Sequence, residues 1–274
     1  MILLYSHDDN TKPDYKNWVP ESMLKILYVG AVLSFILFIL FGGSGAVLHG
    51  IARLICAVIF GVPTLALSFF AVWMTILHRA FDYSGKRKLA KTIIEGTADH
   101  VNIDDDGVGL DVGCGSGALS IACAKRNTKA TMVGCDIWSG SYKTVFSQAL
   151  CENNAKSEGM SNVRFEKGSA LKLPFEDESF DAVTSNYVYH NIVGKNKQKL
   201  LLETFRVLKK GGTFAIHDIM NKKSYGDMNK FIEELKAEGF SDVQMIDTTN
   251  GKFMSRKEAI LLGLTGSTLL VGRK

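Results

Sequence analysis

The chain has 274 residues, with 32 lysines and arginines against 28 aspartates and glutamates, a formal charge of +4. That length fits one large domain, or one domain with an appendage. Only 4 prolines in so apolar a chain exclude a collagen-like or mainly disordered protein, and the small positive charge does not make nucleic acid the expected partner. Cys56, Cys114, Cys123, Cys135 and Cys151 form no CxxC pair and no metal-ligand spacing with histidine. Their odd number suits buried thiols in a reducing compartment and implies no metal site.

The chain averages hide a division. Up to Leu77, Lys12, Lys16, Lys25 and Arg53 balance Asp8, Asp9, Asp14 and Glu21, so the net charge belongs to the rest. No charged residue interrupts Ile26–Phe41 or Leu54–Leu77. As helices, Met23–Phe41 would extend roughly 28 Å and Leu54–Leu77 roughly 36 Å, against about 30 Å of bilayer hydrocarbon. Gly42-Gly43-Ser44-Gly45 between them suits a tight turn. The pattern predicts a two-helix transmembrane hairpin over 23–80, after an N-terminal tail over 1–22. The alternative is a pair of buried helices in a soluble protein. Arg53 is placed to snorkel to the nearer interface, Pro63 to kink the second helix, and Trp18 and Trp73 to lie near the interfaces. Basic residues flank both outer ends: Lys12, Lys16 and Lys25 before the first span, and Arg79, Lys86, Arg87, Lys88 and Lys91 after the second. The positive-inside rule then places the N-terminus and everything after the hairpin in the cytoplasm.

From 81 to 274 apolar strands alternate with amphipathic helices. Strands are expected at Val108–Val112, Ala130–Cys135, Val163–Glu166, Phe180–Ser185, Thr213–His217, Val243–Asp247 and Thr268–Val271. Helices are expected at Leu119–Lys125, Tyr142–Glu158, Lys197–Leu208 and Tyr225–Glu238. Lys209-Lys210-Gly211-Gly212 reads as a helix stop. This alternation implies an α/β fold, a mainly parallel sheet covered on both faces.

The chemistry begins at Asp111-Val-Gly-Cys-Gly-Ser-Gly117, a glycine turn between a strand and a helix. Such a turn lets backbone amides approach a ligand closely, but nicotinamide and flavin sites use similar turns. Asp111 occupies a place where a dinucleotide site has an apolar residue. Asp136 ends the next strand, placed to accept hydrogen bonds from ribose hydroxyls. Leu173-Pro-Phe-Glu-Asp-Glu-Ser-Phe-Asp181 and Leu208-Lys-Lys-Gly-Gly212 follow.

With these four elements the region from about Lys86 to Lys274 resembles class I S-adenosylmethionine-dependent methyltransferases, in particular the ubiquinone- and menaquinone-biosynthesis-like branch acting on small molecules. The resemblance implies a Rossmann-like seven-stranded sheet with an antiparallel last strand. It implies that Asp111, Gly113, Cys114, Gly115 and Gly117 hold the methionine part of S-adenosyl-L-methionine, that Asp136 binds the ribose and that Ile137 lies against the adenine. Ser169 and Ala170 would reach the adenine edge, and Asn186 would line the methionine and acceptor side. Two positions depart from the family: Ser169 stands where it usually has Asp, and Lys210 where it usually has Pro.

Methyl transfer from a sulfonium asks the protein mainly for proximity, alignment and a dry site. A base is needed where the acceptor must lose a proton. The candidates follow strands four and five: His190, singled out as catalytic, and the pair His217-Asp218. Tyr187 and Tyr189 either shape an acceptor pocket or pack. The expected function is a membrane-anchored methyltransferase for a small, lipophilic acceptor. A catalytically silent cofactor-binding or assembly protein of the same fold, and a nicotinamide-dependent oxidoreductase, are the alternatives.

Overall fold

Nearly uninterrupted apolar runs make the central strands, because a parallel strand is buried on both faces. β1 (Val108–Val112) and β2 (Thr131–Asp136) are buried along almost their whole length. The computed structural model describes residues 12–139 and 145–274. β1 and β2 pair in parallel with each other, and with β4 (Phe180–Asn186) and β3 (Val163–Lys167) on their outer sides. β5 (Leu208–Ile219) continues the parallel set beside β4. β7 (Ser267–Arg273) runs antiparallel between β5 and β6 (Ser241–Asp247), giving the order β3-β2-β1-β4-β5-β7-β6. The expected mainly parallel seven-stranded sheet with an antiparallel last strand is the observed one. Asp111, Asp136 and Asn186 all lie toward the carboxyl ends of parallel strands, on the edge where open α/β sheets bind ligands.

The helices depart from the sequence reading at local chain stops. α3 (Leu89–Ala98) and α4 (Ala118–Arg126) are joined by Arg126, 2.7 Å from Glu95 and 2.8 Å from Asp99. α5 (Gln148–Ser157) starts six residues after the expected Tyr142, because the Ser147 hydroxyl caps it by accepting the Leu150 amide proton. The Tyr142–Thr144 part of that expectation lies outside the described residues. α6 (Lys197–Arg206) ends before Leu208, and Lys209–Gly212 does not stop it. Those residues belong to β5, where the register jumps from Phe180↔Leu208 to Ala182↔Thr213. The expected helix Tyr225–Glu238 is two, α7 (Lys222–Tyr225) and α8 (Met228–Ala237). Gly226, at φ +75°, breaks them, and the Asp227 carboxylate caps the second. α3 and the short α9 (Arg256–Leu261), closed by a Ser255–Glu258 capping box, have no counterpart in the expected elements.

The described residues up to Lys16 belong with Leu89–Lys274 in one unit, and Asn17–Lys88 forms another. The division therefore falls at Lys16 and Lys88, where the sequence suggested 22 and 80. In the second unit α1 (Glu21–Leu37) runs into a π-helical turn, Phe38–Gly43, and α2 (Gly50–Phe81) returns. Both helical stretches are long and apolar enough to cross a membrane, and 6% of each apolar window is buried. Val29, Val32, Leu54, Val62 and Leu65 are among the exposed apolar side chains.

Polar groups inside the hairpin find partners within it. Arg53 Nε and Nη2 donate to the carbonyls of Gly42 (3.0 Å) and Gly43 (2.7 Å), so its head is bound to the end of the first helix and does not snorkel freely. α2 is continuous through Pro63, and the neighbouring Phe60 carbonyl accepts from Thr64 (2.7 Å) and Ser34 (3.0 Å). At the open end Asn17 donates to the His78 carbonyl and His78 Nδ1 to that of Val19, at 2.7 and 2.8 Å, beside an edge-to-face Trp18–Phe81 pair.

Gly42 packs directly against the backbone of the second helix. A Cβ there would lie 2.5 Å from Ala57 Cα and 2.7 Å from its amide nitrogen, contacts only a backbone shift could relieve. At Gly43 the nearest atom to such a Cβ is 3.4 Å away. Gly42→Ala should therefore destabilise the hairpin in detergent by about 1–3 kcal/mol, and Gly43→Ala by far less. Unfolding followed by circular dichroism checks the difference.

Candidate active site

The glycine turn takes its shape from a lack of space. Gly113 has φ +75°, and a Cβ on it would sit 2.3 Å from Val188, just beyond β4. The amides of Gly113 and Cys114 donate to the Cys135 carbonyl at 2.7 and 3.2 Å, tying the turn to β2. Gly117, at φ +80°, opens α4. The Gly115 amide donates to Asp136 Oδ2 (2.9 Å), and the Trp138 amide donates to Asp136 Oδ1 (2.8 Å). The Trp138 indole closes the ring by donating to the Gly115 carbonyl (3.0 Å). Asp136 thus belongs to the turn's support. A carboxylate has about four acceptor positions, so two such bonds leave it capacity for the hydroxyls of a ribose.

Asp111 is buried beneath the turn, and Ser120 on α4 donates to its Oδ2 at 2.6 Å. Burial raises its pKa to about 7; Ser120 hydrogen bonds oppose the rise and the charge of Asp136 adds to it. A buried carboxylate this poorly compensated suits a cationic group such as the ammonium of a methionine moiety. Cys114 is buried, and burial pushes its thiol well above the ordinary value, while its backbone amide and carbonyl are both hydrogen-bonded, to the Cys135 carbonyl and the Gly117 amide. Ile137 is 45% exposed at the end of β2, an apolar surface suited to a flat ring. Ser169 is committed to a turn: its hydroxyl accepts from the Leu171 amide at 3.2 Å, and it forms an isolated bridge with Lys172. Ala170 packs partly into the core. The donor and acceptor set around the glycine turn therefore fits S-adenosylmethionine, with Ser169 and Ala170 contributing least that is distinctive.

Beyond β4 the two histidine candidates separate. His217 is fully buried, with Nδ1 2.8 Å from Asn186 Oδ1 and Nε2 3.0 Å from Thr248 Oγ1. Burial drives its pKa down to about 3. With both nitrogens engaged it holds Asn186 and cannot serve as the base, so that candidate is corrected. His190 is partly exposed, and its Nδ1 donates to Asp218 Oδ1 at 2.5 Å. Asp218 is buried, yet amides of Tyr189 (2.8 Å), His190 (3.2 Å) and Ile219 (2.6 Å) all donate to it. Burial alone would raise its pKa, but the bond from His190 and its other donors hold it below the ordinary value. Asp218 therefore fixes the tautomer of His190 and leaves Nε2 as the basic nitrogen.

Tyr187 lies edge-on to His190 (5.8 Å) and to His217 (4.7 Å), with its hydroxyl 2.7 Å from Ser267. Tyr189 is core, 2.6 Å from Thr204. Tyr187 and Trp138 both adopt positive φ, +54° and +41°, strain of the kind that collects at ligand sites. Trp138, Ser120 and the pairing of Asp218 with His190 were not read from the sequence. An aromatic residue two positions after the strand-end Asp was the one local signal for Trp138.

Asp111 gives a pH dependence with a definite sign. Its carboxyl holds a proton to about pH 7 in the fold and loses it near 4 when unfolded. Its contribution to stability is therefore greatest in acid, and it declines as the pH rises through that window, by up to about 4 kcal/mol. Asp111→Asn should melt higher than the parent at pH 8 without cofactor, and the gain should vanish near pH 4. S-adenosylmethionine affinity of the parent should fall as the pH drops below 7, a dependence the variant lacks. Asp136→Ala should weaken the same ligand about tenfold at pH 8, where Asp111 is ionised with or without Asp136, through the loss of a charge-assisted bond. Calorimetry and thermal melts across pH 4–8 check all three.

Residues 103–257, more than half of the chain, match the methyltransferase domain family. The demethylmenaquinone methyltransferase of Staphylococcus aureus is 37% identical over 105 residues, 38% of this chain and 39% of that protein. That of Thermus thermophilus is 34% identical over 107 residues, covering 39% and 44%. The chain spans about two fifths of the length of the first curated relatives it matches. Among solved structures, the cyclase SpnF superposes with a TM-score of 0.53 at 20% identity, over 70% of this chain and 85% of its own, a likeness of fold. The strand order, the glycine turn under Asp136 and the sequence match agree, and the chain belongs to the methyltransferase domain family.

Proposed function

We propose that the protein transfers a methyl group from S-adenosylmethionine to a small, lipophilic acceptor while anchored in a membrane. The observation that carries the reading is the convergence on one sheet edge of a supported glycine turn, two carboxylates beneath and beside it, and a histidine oriented by a buried aspartate. The similarity to proteins named demethylmenaquinone methyltransferases supports a small acceptor. The two long helices with exposed apolar faces support the anchor, and the lysines and arginines at their outer ends support a cytoplasmic catalytic domain.

When bound, S-adenosylmethionine supplies a methyl group on an electrophilic sulfonium. Asp111, the Gly113–Gly117 turn, Asp136 and Ile137 hold it; Asn186 lines the acceptor side with its amide fixed by His217. His190 Nε2 takes the acceptor's proton, and the resulting imidazolium is stabilised by Asp218 through Nδ1. Asp218 is a positioning residue in this scheme.

His190→Ala should lower turnover about 10²–10⁴-fold with cofactor affinity nearly unchanged. Asp218→Asn should lower turnover in the same direction. Full turnover in His190→Ala would remove the base. For the anchor, the full chain should pellet with membranes and require detergent for extraction. Protease outside sealed, cytoplasm-inside vesicles should spare the catalytic domain; digestion of it would invert the topology.

A further inference from the structure

One helix face outside the reacting centre binds both the glycine turn and the chain ahead of the hairpin. Cys151 and Asn154 on α5 and Glu158, its C-cap, share one face, spaced three and four residues apart. Cys151 Sγ donates to the Gly115 carbonyl at 3.1 Å. Asn154, 2% exposed, donates through Nδ2 to the Ser116 carbonyl (2.9 Å) and to the Asp14 carbonyl (3.0 Å), and its Oδ1 accepts the Asp14 amide proton (2.7 Å). The orientation of this amide is fixed by its partners: two are carbonyls and one is an N–H, so a flipped side chain would lose all three bonds. One turn further, Tyr15 donates to Glu158 (2.9 Å), which Lys125 of α4 also binds (2.6 Å). Those two bonds outweigh the effect of burial and hold Glu158 below the usual carboxylate range. Tyr15 itself is buried.

We propose that Asp14 and Tyr15 form a strap which, through Asn154 as a positioning residue, sets the conformation of the glycine turn and with it the affinity for cofactor. Ser116 lies between Gly115 and Gly117, two of the three glycines that give the turn its positive-φ geometry. Its carbonyl and that of Asp14 compete for no other side chain on α5; one buried amide serves both, so loosening the strap loosens the turn. The catalytic unit thereby includes residues on both sides of the Asn17–Lys88 segment in the sequence. A catalytic fragment beginning after the hairpin would lack the strap and bind cofactor more weakly than the full chain. The inference rests on the turn being the S-adenosylmethionine site.

The test uses the full chain in detergent. Asn154→Ala removes the shared amide; Asp14→Pro removes the strap's N–H donor together with the carboxylate that accepts from the Lys16 amide (3.1 Å), a loss that Asp14→Ala reproduces alone and so subtracts, and both leave Asn154 with Ser116. Glu152→Ala on the outer side of α5 is the control. Hydrogen exchange at the Gly115 and Gly117 amides, without ligand, should accelerate at least tenfold in Asn154→Ala and severalfold in Asp14→Pro. The dissociation constant for S-adenosylmethionine should rise about tenfold and about threefold, with turnover largely recovered at saturating cofactor. Glu152→Ala should match the parent in all of these. Parental exchange and affinity in Asp14→Pro would overturn the strap, as would equal losses of turnover and affinity that merely track a lower melting temperature. If Asn154→Ala does not fold, Asp14→Pro decides. A parent that fails to bind S-adenosylmethionine would overturn the cofactor reading, and the exchange measurement would still decide whether the strap controls the turn.

Discussion

The hydrogen bond from the Gly115 amide to Asp136 is the contact on which the site depends. It joins the turn after β1 to the end of β2, and the Trp138 indole closes the same ring from the other side. The turn has little room to relax away from it, because Val188 leaves no space for a Cβ at Gly113, and the amides of Gly113 and Cys114 are both held by the Cys135 carbonyl. A backbone so confined keeps its shape without a ligand and holds the carboxylates of Asp111 and Asp136 in fixed directions, and preorganised polar groups are what a bound charged ligand requires. Asp111 is held in the same compartment at a cost in stability that a cation would offset.

Much of the sheet was legible because buried parallel strands are unbroken apolar runs and glycine turns interrupt them. The places of Asp111, Gly113, Gly115, Gly117, Asp136 and Asn186 followed from that. What the sequence concealed depends on contacts between distant residues or on short-range capping. Nothing near His190 announces Asp218, 28 positions away, and adjacency favoured pairing Asp218 with His217 instead. His217 proves to be buried and engaged at both ring nitrogens. The start of α5 is decided by one serine cap, and the break between α7 and α8 by one glycine, both weaker in the sequence than the apolar spacing around them. Lys209–Gly212 carries the composition of a helix stop, yet it forms the irregular start of a strand.

The hairpin and the sheet unit each pair their polar atoms, with different partners. Inside the sheet, buried polar atoms are paired across elements: Ser185 with the Val112 carbonyl at 2.7 Å, Thr184 with that of Ala215 at 2.8 Å. Within the hairpin, Arg53, Ser34 and Thr64 bind carbonyls of the two helices themselves, and outward-facing side chains are apolar. Two helices that satisfy their own backbone and expose hydrocarbon are compatible with a bilayer, whereas a ligand-binding sheet edge must leave directed donors and acceptors.

The central claim is that the glycine turn, Asp111 and Asp136 form a site for S-adenosylmethionine. Isothermal titration of the detergent-solubilised full chain with S-adenosylmethionine and, separately, with NADH tests it most directly. The account predicts saturable one-site binding of S-adenosylmethionine, accompanied near pH 6.5 by proton release as Asp111 ionises, and no binding of NADH. Binding of NADH in preference to S-adenosylmethionine would contradict it.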